Sequence, residues 1–384
     1  MADVTRKVEM ALKKAWTLVE AKQLELGLKA FDEAIAADPA NDSIDVEKGV
    51  ALFRAGRPAD ALAAFEAAVA KNARNMVARA NAAKALREVG RREDARATYE
   101  AGLVIEAESF TLLLGSGTAL LDVGRHEEAI VRFERAIAQK PREAEPWLRK
   151  GLALRARAER EAALAAIAEA CALRPKYTEA LKERALLLRE LGKPKEAWTH
   201  AVDAVKAAGE ASTPELLCAV GEIALDLGQG GDALKLAEKA LEKSKENATA
   251  WLLKSRAQEK LGNPAGAALA AGTGHMVAGR LEDALAALDR AVAADPRYTA
   301  AWCNRAVVLE RLGRNEDALA CYDRALEVDP GSAPVWHNKG NLLYGKLGRE
   351  EDALRCFKRE IKLDPRRWFD LPGEVRSKVD QMGA

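Results

Sequence analysis

An all-α solenoid, a stack of many copies of one short helical unit, is the fold class that this sequence predicts, on three observations. The composition is helical: Ala, Leu, Glu, Lys and Arg dominate, residues that lose little freedom in a helix, while aromatics are only 5% of the chain. Glycine and proline punctuate it at regular intervals, as in Gly56, Gly90 and Gly124, or Pro296 and Pro330. Residue types also recur with a period of 34 along most of the 384 residues. A length that would otherwise suggest two or three globular domains is then accounted for by one growing stack.

The segment from Thr299 to Ser332 shows the unit most clearly. It places Trp302 fourth, Ala306 eighth, Leu309 eleventh and Gly313 fifteenth, then Ala318 twentieth, Tyr322 twenty-fourth, Ala325 twenty-seventh and Pro330 thirty-second. Copies start at Val8, Asp42, Met76, Phe110, Ala144 and Thr178, each 34 residues after the last, and again at Pro214, Ala248, Thr299 and Ala333. This pattern resembles the tetratricopeptide-repeat family. The resemblance implies a right-handed α-solenoid (a superhelix) of helix-turn-helix repeats, closed by a C-terminal capping helix. Small residues at positions eight and twenty, such as Gly49 with Ala61 and Gly117 with Ala129, let the two helices of a unit approach closely. Large residues at positions four and twenty-four fill the space between units. Glycine at position fifteen ends the first helix in the left-handed conformation that only glycine adopts freely, and proline near position thirty-two stops the second.

On this frame, residues 1–7 are an N-terminal tail, 8–247 an N-terminal array, 299–367 a C-terminal array and 368–384 a capping helix. The period fails over 248–298, where 51 residues hold about one and a half units. In its middle lies Gly272-Thr-Gly-His-Met276, a weak helix former by propensity. Two readings stand side by side: a degenerate half-repeat, or a junction between two pieces of DNA, natural or engineered. Both predict loose packing, a hinge, and first proteolytic cleavage between Ala271 and Ala278. Smaller irregularities are the extra Ser212-Thr213 and one extra residue before Gly348.

The same composition narrows function. A net charge of +1 supplies no global field for nucleic acid or an anionic membrane. Five scattered cysteines without a CxxC pair read as reduced thiols of a cytoplasmic protein. The N-terminus has no signal-peptide pattern, and no apolar run approaches the ~20 residues a spanning helix needs. His126, His200, His275 and His337 are far apart and off any ligand spacing, so no metal or cofactor is expected. The carboxylates fall in i, i+4 patterns of solvated helix faces rather than catalytic pairs. The chain is therefore expected not to be an enzyme.

Within the resembled family the first helix of each repeat lines a concave channel through positions 2, 5, 6, 9, 12 and 13. Carried onto this chain, that implies a peptide-binding groove with Glu310, His337, Asn341 and Tyr344 around Asn304 and Asn338, which share the sixth position of consecutive repeats. Asparagine donates and accepts at once, as the amides of an extended peptide require. Upstream, Asn81 holds the same position, with Lys84 and Arg87 beside it. In the middle, Glu179, Glu183, Glu190, Glu215, Glu222 and Asp226 read as an acidic stretch after basic Arg149 and Arg155. The expected role is a scaffold or adaptor for other proteins or peptides. Self-assembly, or service as the non-catalytic targeting part of an enzyme complex, are the alternatives.

Overall fold

A computed structural model describes residues 2–381, with side chains from residue 4 onward. Residues 1 and 382–384, the ends of the expected tail and cap, lie outside the described residues. The chain divides into two compact units, one ending at Leu187 and one beginning at Leu188. The first unit runs α1 (Ala2–Glu20), α2 (Leu24–Ala37), α3 (Asp42–Arg54), α4 (Pro58–Lys71), α5 (Met76–Glu88), α6 (Arg92–Ile105), α7 (Phe110–Asp122), α8 (His126–Gln139), α9 (Ala144–Ala156) and α10 (Arg160–Leu173), then enters α11 (Thr178–Glu190). The second continues through α12 (Pro194–Ala208), α13 (Pro214–Asp226), α14 (Gly230–Lys243), α15 (Ala248–Lys260), α16 (Pro264–Val277), α17 (Leu281–Ala294), α18 (Thr299–Arg311), α19 (Asn315–Val328), α20 (Ala333–Gly345), α21 (Glu350–Leu363) and α22 (Gly373–Gln381). No strand occurs among the described residues, and the fold is the expected all-α solenoid of helical hairpins.

Each hairpin is closed by a size match between its two helices. A Cβ built on Gly49 would stand 2.5 Å from the Phe65 ring, on Gly117 2.6 Å from Phe133, and on Gly340 2.5 Å from Phe357. The large residue of the second helix thus occupies the space a side chain would need, and Phe65, Phe133 and Phe357 are all essentially fully buried. At position fifteen the backbone is left-handed throughout: Gly56 has φ 75°, Gly124 79° and Gly313 77°. Two repeats lack the glycine, and there Lys22 and Ala158 adopt φ 61° and 64°. A Cβ in that region costs roughly 1–2 kcal/mol. Ala158→Gly is therefore expected to stabilise the first unit by about 1 kcal/mol, read as a rise in the melting midpoint.

Successive repeats are tied by a recurring group around the position-four tryptophan. Its indole N–H donates to the carbonyl six residues earlier, Trp147 to Pro141 at 3.1 Å and Trp336 to Pro330 at 2.9 Å. A cation three residues on lies over the ring, Lys150 6.0 Å and Lys339 5.7 Å from the centroids. That cation also pairs with a carboxylate on the preceding second helix, Lys150 with Glu134 at 2.8 Å and Lys254 with Glu238 at 3.0 Å. Such half-exposed pairs add little energy, but they set the register in which one hairpin meets the next.

Three expectations change. Residues 2–7 are not a tail but the opening turns of α1, whose Val8 and Ala15 are buried against the first hairpin. The two compact units meet at 187/188, inside α11, and not at 248–298. Most informative is the segment 264–277, which is neither loose nor broken. It forms one continuous helix in which Gly266, Ala267 and the run Ala270 to Gly274 are all buried.

The reason is that α16 serves two repeats at once. Toward α15 it acts as a second helix: a Cβ on Gly274 would meet Trp251 Cβ at 3.0 Å and the Ala248 carbonyl at 3.3 Å. Toward α17 it acts as a first helix: a Cβ on Gly272 would stand 2.6 Å from Leu288 Cγ. Gly272 and Leu288 are 16 residues apart, the separation of Gly49 and Phe65. A complete 34-residue frame therefore runs from Ala265 to Tyr298, with Gly272 eighth, Gly279 fifteenth, Ala284 twentieth, Leu288 twenty-fourth and Pro296 thirty-second. It overlaps the frame that starts at Ala248. The Ala/Gly content that reads as weak helix is what permits packing on two faces, and burial outweighs propensity.

Beyond α21, a 3-10 segment (Pro365–Asp370) leads into α22. Leu371, Val375 and Val379 bury themselves against Leu343, Leu354 and Phe357, so α22 covers the last hairpin as a cap.

Candidate functional site

Within the second unit, side-chain contacts link α18 to α16 and α20 to α18. Asn304 on α18 is half-buried and donates Nδ2–H to Thr273 Oγ1 of α16 at 3.1 Å. Thr273 in turn donates to the Leu269 carbonyl at 2.9 Å, so its one proton is used and its lone pair is free to accept. Asn338 on α20 reaches back to Cys303 Sγ at 3.6 Å, a long contact to a weak acceptor. Burial pushes the Cys303 thiol up, with the Asn338 amide acting in the opposite sense.

Asn341 and His337 form a short relay into the core. Glu360 of α21 is fully buried and accepts from His337 Nδ1 at 3.1 Å and from Arg367 at 3.2 Å. With a carboxylate on that side, the ring proton sits on Nδ1 and Nε2 is left to accept. Asn341 supplies the matching Nδ2–H at 2.9 Å. The amide is thereby oriented with its oxygen turned away from the histidine. In every earlier repeat the place of Glu360, position twenty-seven, holds alanine or glycine, such as Ala291 and Ala325. The last repeat is followed by the cap instead of another hairpin, and Arg367 from the 3-10 segment answers the buried charge.

The remaining C-terminal candidates are already engaged. Glu310 accepts the hydroxyl of Tyr322. Burial pushes its carboxyl up, while the Tyr322 bond and the nearby Lys346 draw it down. Tyr344 faces the cap: its hydroxyl donates to Glu374 at 3.4 Å and Lys378 stands 5.8 Å from the ring centroid.

Asn81, Lys84 and Arg87 belong to the first unit and are not part of that cluster. All three lie on α5. The Lys84 ammonium sits 5.0 Å from the Phe53 ring of α3, and Arg87 Nε donates to Asp122 of α7 at 2.5 Å. Asn81 is half-buried.

The acidic stretch does not survive as such. In the first unit Arg149 reaches Glu179 at 3.2 Å and Arg155 reaches Glu183 at 2.7 Å. In the second, Arg189 pairs with Asp226, and Arg256 with Glu222. Arginines from neighbouring first helices thus neutralise the carboxylates along these faces. One of these pairs repeats a contact of the first unit at a spacing of one repeat plus one residue: Arg87 and Asp122 are 35 residues apart. Arg189 and Asp226 are 37 apart because Ser212-Thr213 lengthen their repeat.

Among the described residues no group of three or more His, Cys, Asp or Glu side chains is placed to hold a metal ion, and no helix is long and apolar enough to cross a membrane. All five cysteines are free thiols, and burial pushes Cys218 and Cys356 up to about 11.

Tetratricopeptide-repeat family models match residues 12–77, 114–177, 219–274 and 269–333, with related models of the same description matching 52–109 and 321–355. Two of these matches share residues 269–274, inside α16. Among solved structures, a tetratricopeptide repeat protein from Parabacteroides merdae is similar at 18% identity, over 66% of this chain and 99% of that one, with a TM-score of 0.54. PilW, a type IV pilus biogenesis factor, is similar at 20% identity over 52% of this chain and 92% of its own, with a TM-score of 0.49. Both are likenesses of fold. No curated protein matches the sequence.

Proposed function

The chain belongs to the tetratricopeptide-repeat family, and from that premise we propose that it is a protein-interaction scaffold, holding extended peptide segments on the face that α16, α18 and α20 form. The observation that carries this reading is the state of the three asparagines. Each spends one N–H on a neighbour, Asn304 on Thr273, Asn338 on Cys303 and Asn341 on His337. Each keeps a carbonyl oxygen and a second N–H, the pair that matches a peptide's own amide. Being held by neighbours, they lose less freedom on binding, which lowers the ordering cost.

Selection from a displayed peptide library tests the reading. The intact chain is expected to enrich a related set of sequences. A variant carrying Asn304→Ala, Asn338→Ala and Asn341→Ala is expected to lose affinity for them by about ten-fold or more, at ~1 kcal/mol for each lost hydrogen bond. Its melting midpoint should fall only slightly, because the lost contacts are half-exposed. Equal enrichment by the two proteins would remove the asparagine face from consideration.

A further inference from the structure

The two loops that join the repeats at residues 140–143 and 174–177 carry a group of cations that no carboxylate of the described residues answers. Lys140, Arg142, Arg174 and Lys176 are all exposed, and none forms an ion pair among the described residues. Three other cations of the same repeats are matched: Arg135 with Glu108 at 2.6 Å, Lys150 with Glu134 at 2.8 Å, Arg149 with Glu145 at 2.7 Å.

At the helix caps the residue types depart from the repeat's own habit. Lys140 and Arg174 cap the C-termini of α8 and α10. The same cap is Asp38, Asn72, Glu106, Ser244, Asp295, Asp329 or Asp364 in other repeats. A cation at a helix C-terminus is favoured by the helix dipole, which accounts for one per loop. It does not account for Arg142 and Lys176, two residues further on.

Local contacts hold the two loops beside one another. The Tyr177 hydroxyl of the second loop donates to Glu145, which begins α9 just after the first loop. Trp147 of the same helix donates to the Pro141 carbonyl at 3.1 Å. Rings back two of the cations: Lys140 lies 4.6 Å from the Phe110 centroid and Arg174 4.6 Å from that of Tyr177. Stacking on a ring restrains the stem of a long side chain and leaves its head toward solvent.

We propose that this pair of loops is a docking surface for a short acidic peptide segment, separate from the asparagine face. Packed helical layers stand about 10 Å apart, and an extended chain advances about 3.3 Å per residue. Carboxylates three residues apart on a peptide therefore match cations on the two loops. The extent of the patch decides between a peptide and a nucleic acid. The preceding inter-repeat loop carries Glu106 and Glu108. A long polyanion running on along this edge meets those carboxylates, whereas a short segment ends before them.

Fluorescence anisotropy of a labelled peptide of repeated Asp-Ala-Ala tests this on the full chain. The intact protein is expected to bind it, with affinity falling as salt rises, since exposed charges are screened. Reversal by Lys140→Glu, Arg142→Glu, Arg174→Glu and Lys176→Glu is expected to weaken binding by about ten-fold or more, as four exposed charge contacts add up to. The helical signal should be unchanged, and the melting midpoint should fall only slightly, because Lys140 and Arg174 lose their helix-dipole and ring contacts. If the reversal variant folds poorly, glutamine at the same four positions gives the same comparison. Equal binding by intact and altered proteins, or no binding by the intact one, overturns the proposal. So does tighter binding of a single-stranded oligonucleotide of equal charge. Loss of peptide binding in the Asn304, Asn338 and Asn341 variant, with retention in the reversal variant, places the acidic ligand on the asparagine face and also overturns it.

Discussion

Replacing Gly272 with valine destabilises the second unit by about 1–3 kcal/mol, the usual cost of overfilling a packed core. The argument rests on two frames that assign this residue opposite environments. In the frame that starts at Ala248, Gly272 is position twenty-five, on the outer side of a second helix, where valine relieves a helix-interior glycine and stabilises slightly, by about 0.3 kcal/mol. In the frame that starts at Ala265 it is position eight. There a Cβ meets Leu288 Cγ at 2.6 Å and Cδ2 at 3.0 Å, and the Ala284 carbonyl at 3.3 Å. The carbonyl belongs to the backbone of α17 on its buried side and does not yield. The two readings differ in sign, so a chemical-denaturation midpoint separates them. A gain in stability would show that α16 does not act as a first helix. Gly117→Val, where the first unit has the same contact with Phe133 at 2.6 Å, is the matched control and loses stability on either reading.

The second large effect is at Glu360. Its side chain is completely buried, and it holds His337 at 3.1 Å and Arg367 at 3.2 Å. Replacing it with alanine leaves the part-buried Arg367 guanidinium with Asp364, 3.8 Å away, as its remaining partner. Breaking a buried pair from one side costs about 3–5 kcal/mol when the remaining charge is sealed from water, and the partly exposed Arg367 places this loss at or below the low end of that range. In a repeat array the damage stays near its source, because each hairpin contacts only its neighbours. The expected outcome is loss of hydrogen-exchange protection in α20, α21 and α22, with α13 and α14 unaffected. The His337 ring also loses the acceptor that orders its tautomer, so Asn341 loses its fixed orientation and peptide affinity falls with it. Unchanged protection of α22 after the substitution would mean that the apolar contacts of Leu371, Val375 and Val379 suffice to hold the cap.

Much of the fold is legible in the residues. The period of 34, the left-handed turn at position fifteen and the pairing of a small residue with a large one sixteen positions later are local features that one unit and its neighbour enforce. Where glycine is missing, as at Ala158, the turn persists because its neighbours on both sides demand it. The stretch over 264–277 is not legible by the same route. Alanine and glycine carry little periodic signal, and two overlapping frames claim the same helix, so propensity alone reads it as a break. Burial on two faces keeps it helical.

The candidate site divides in a similar way. That asparagines recur at the sixth position is plain from the sequence, and so is the excess of carboxylates over 179–226. That Arg189 and Arg256 cancel part of that excess depends on which side chains of adjacent helices meet. So does the fact that one N–H of each of Asn304, Asn338 and Asn341 is already taken, and that Tyr344 faces the cap. The sequence by itself determined the repeat unit, because its packing is repeated between nearest neighbours and each contact lies within about one period. Only the tertiary structure decided which faces α16 offers to α15 and α17, and which polar groups remain available to a partner. Both follow from the register between neighbouring helices, and residue type does not specify register.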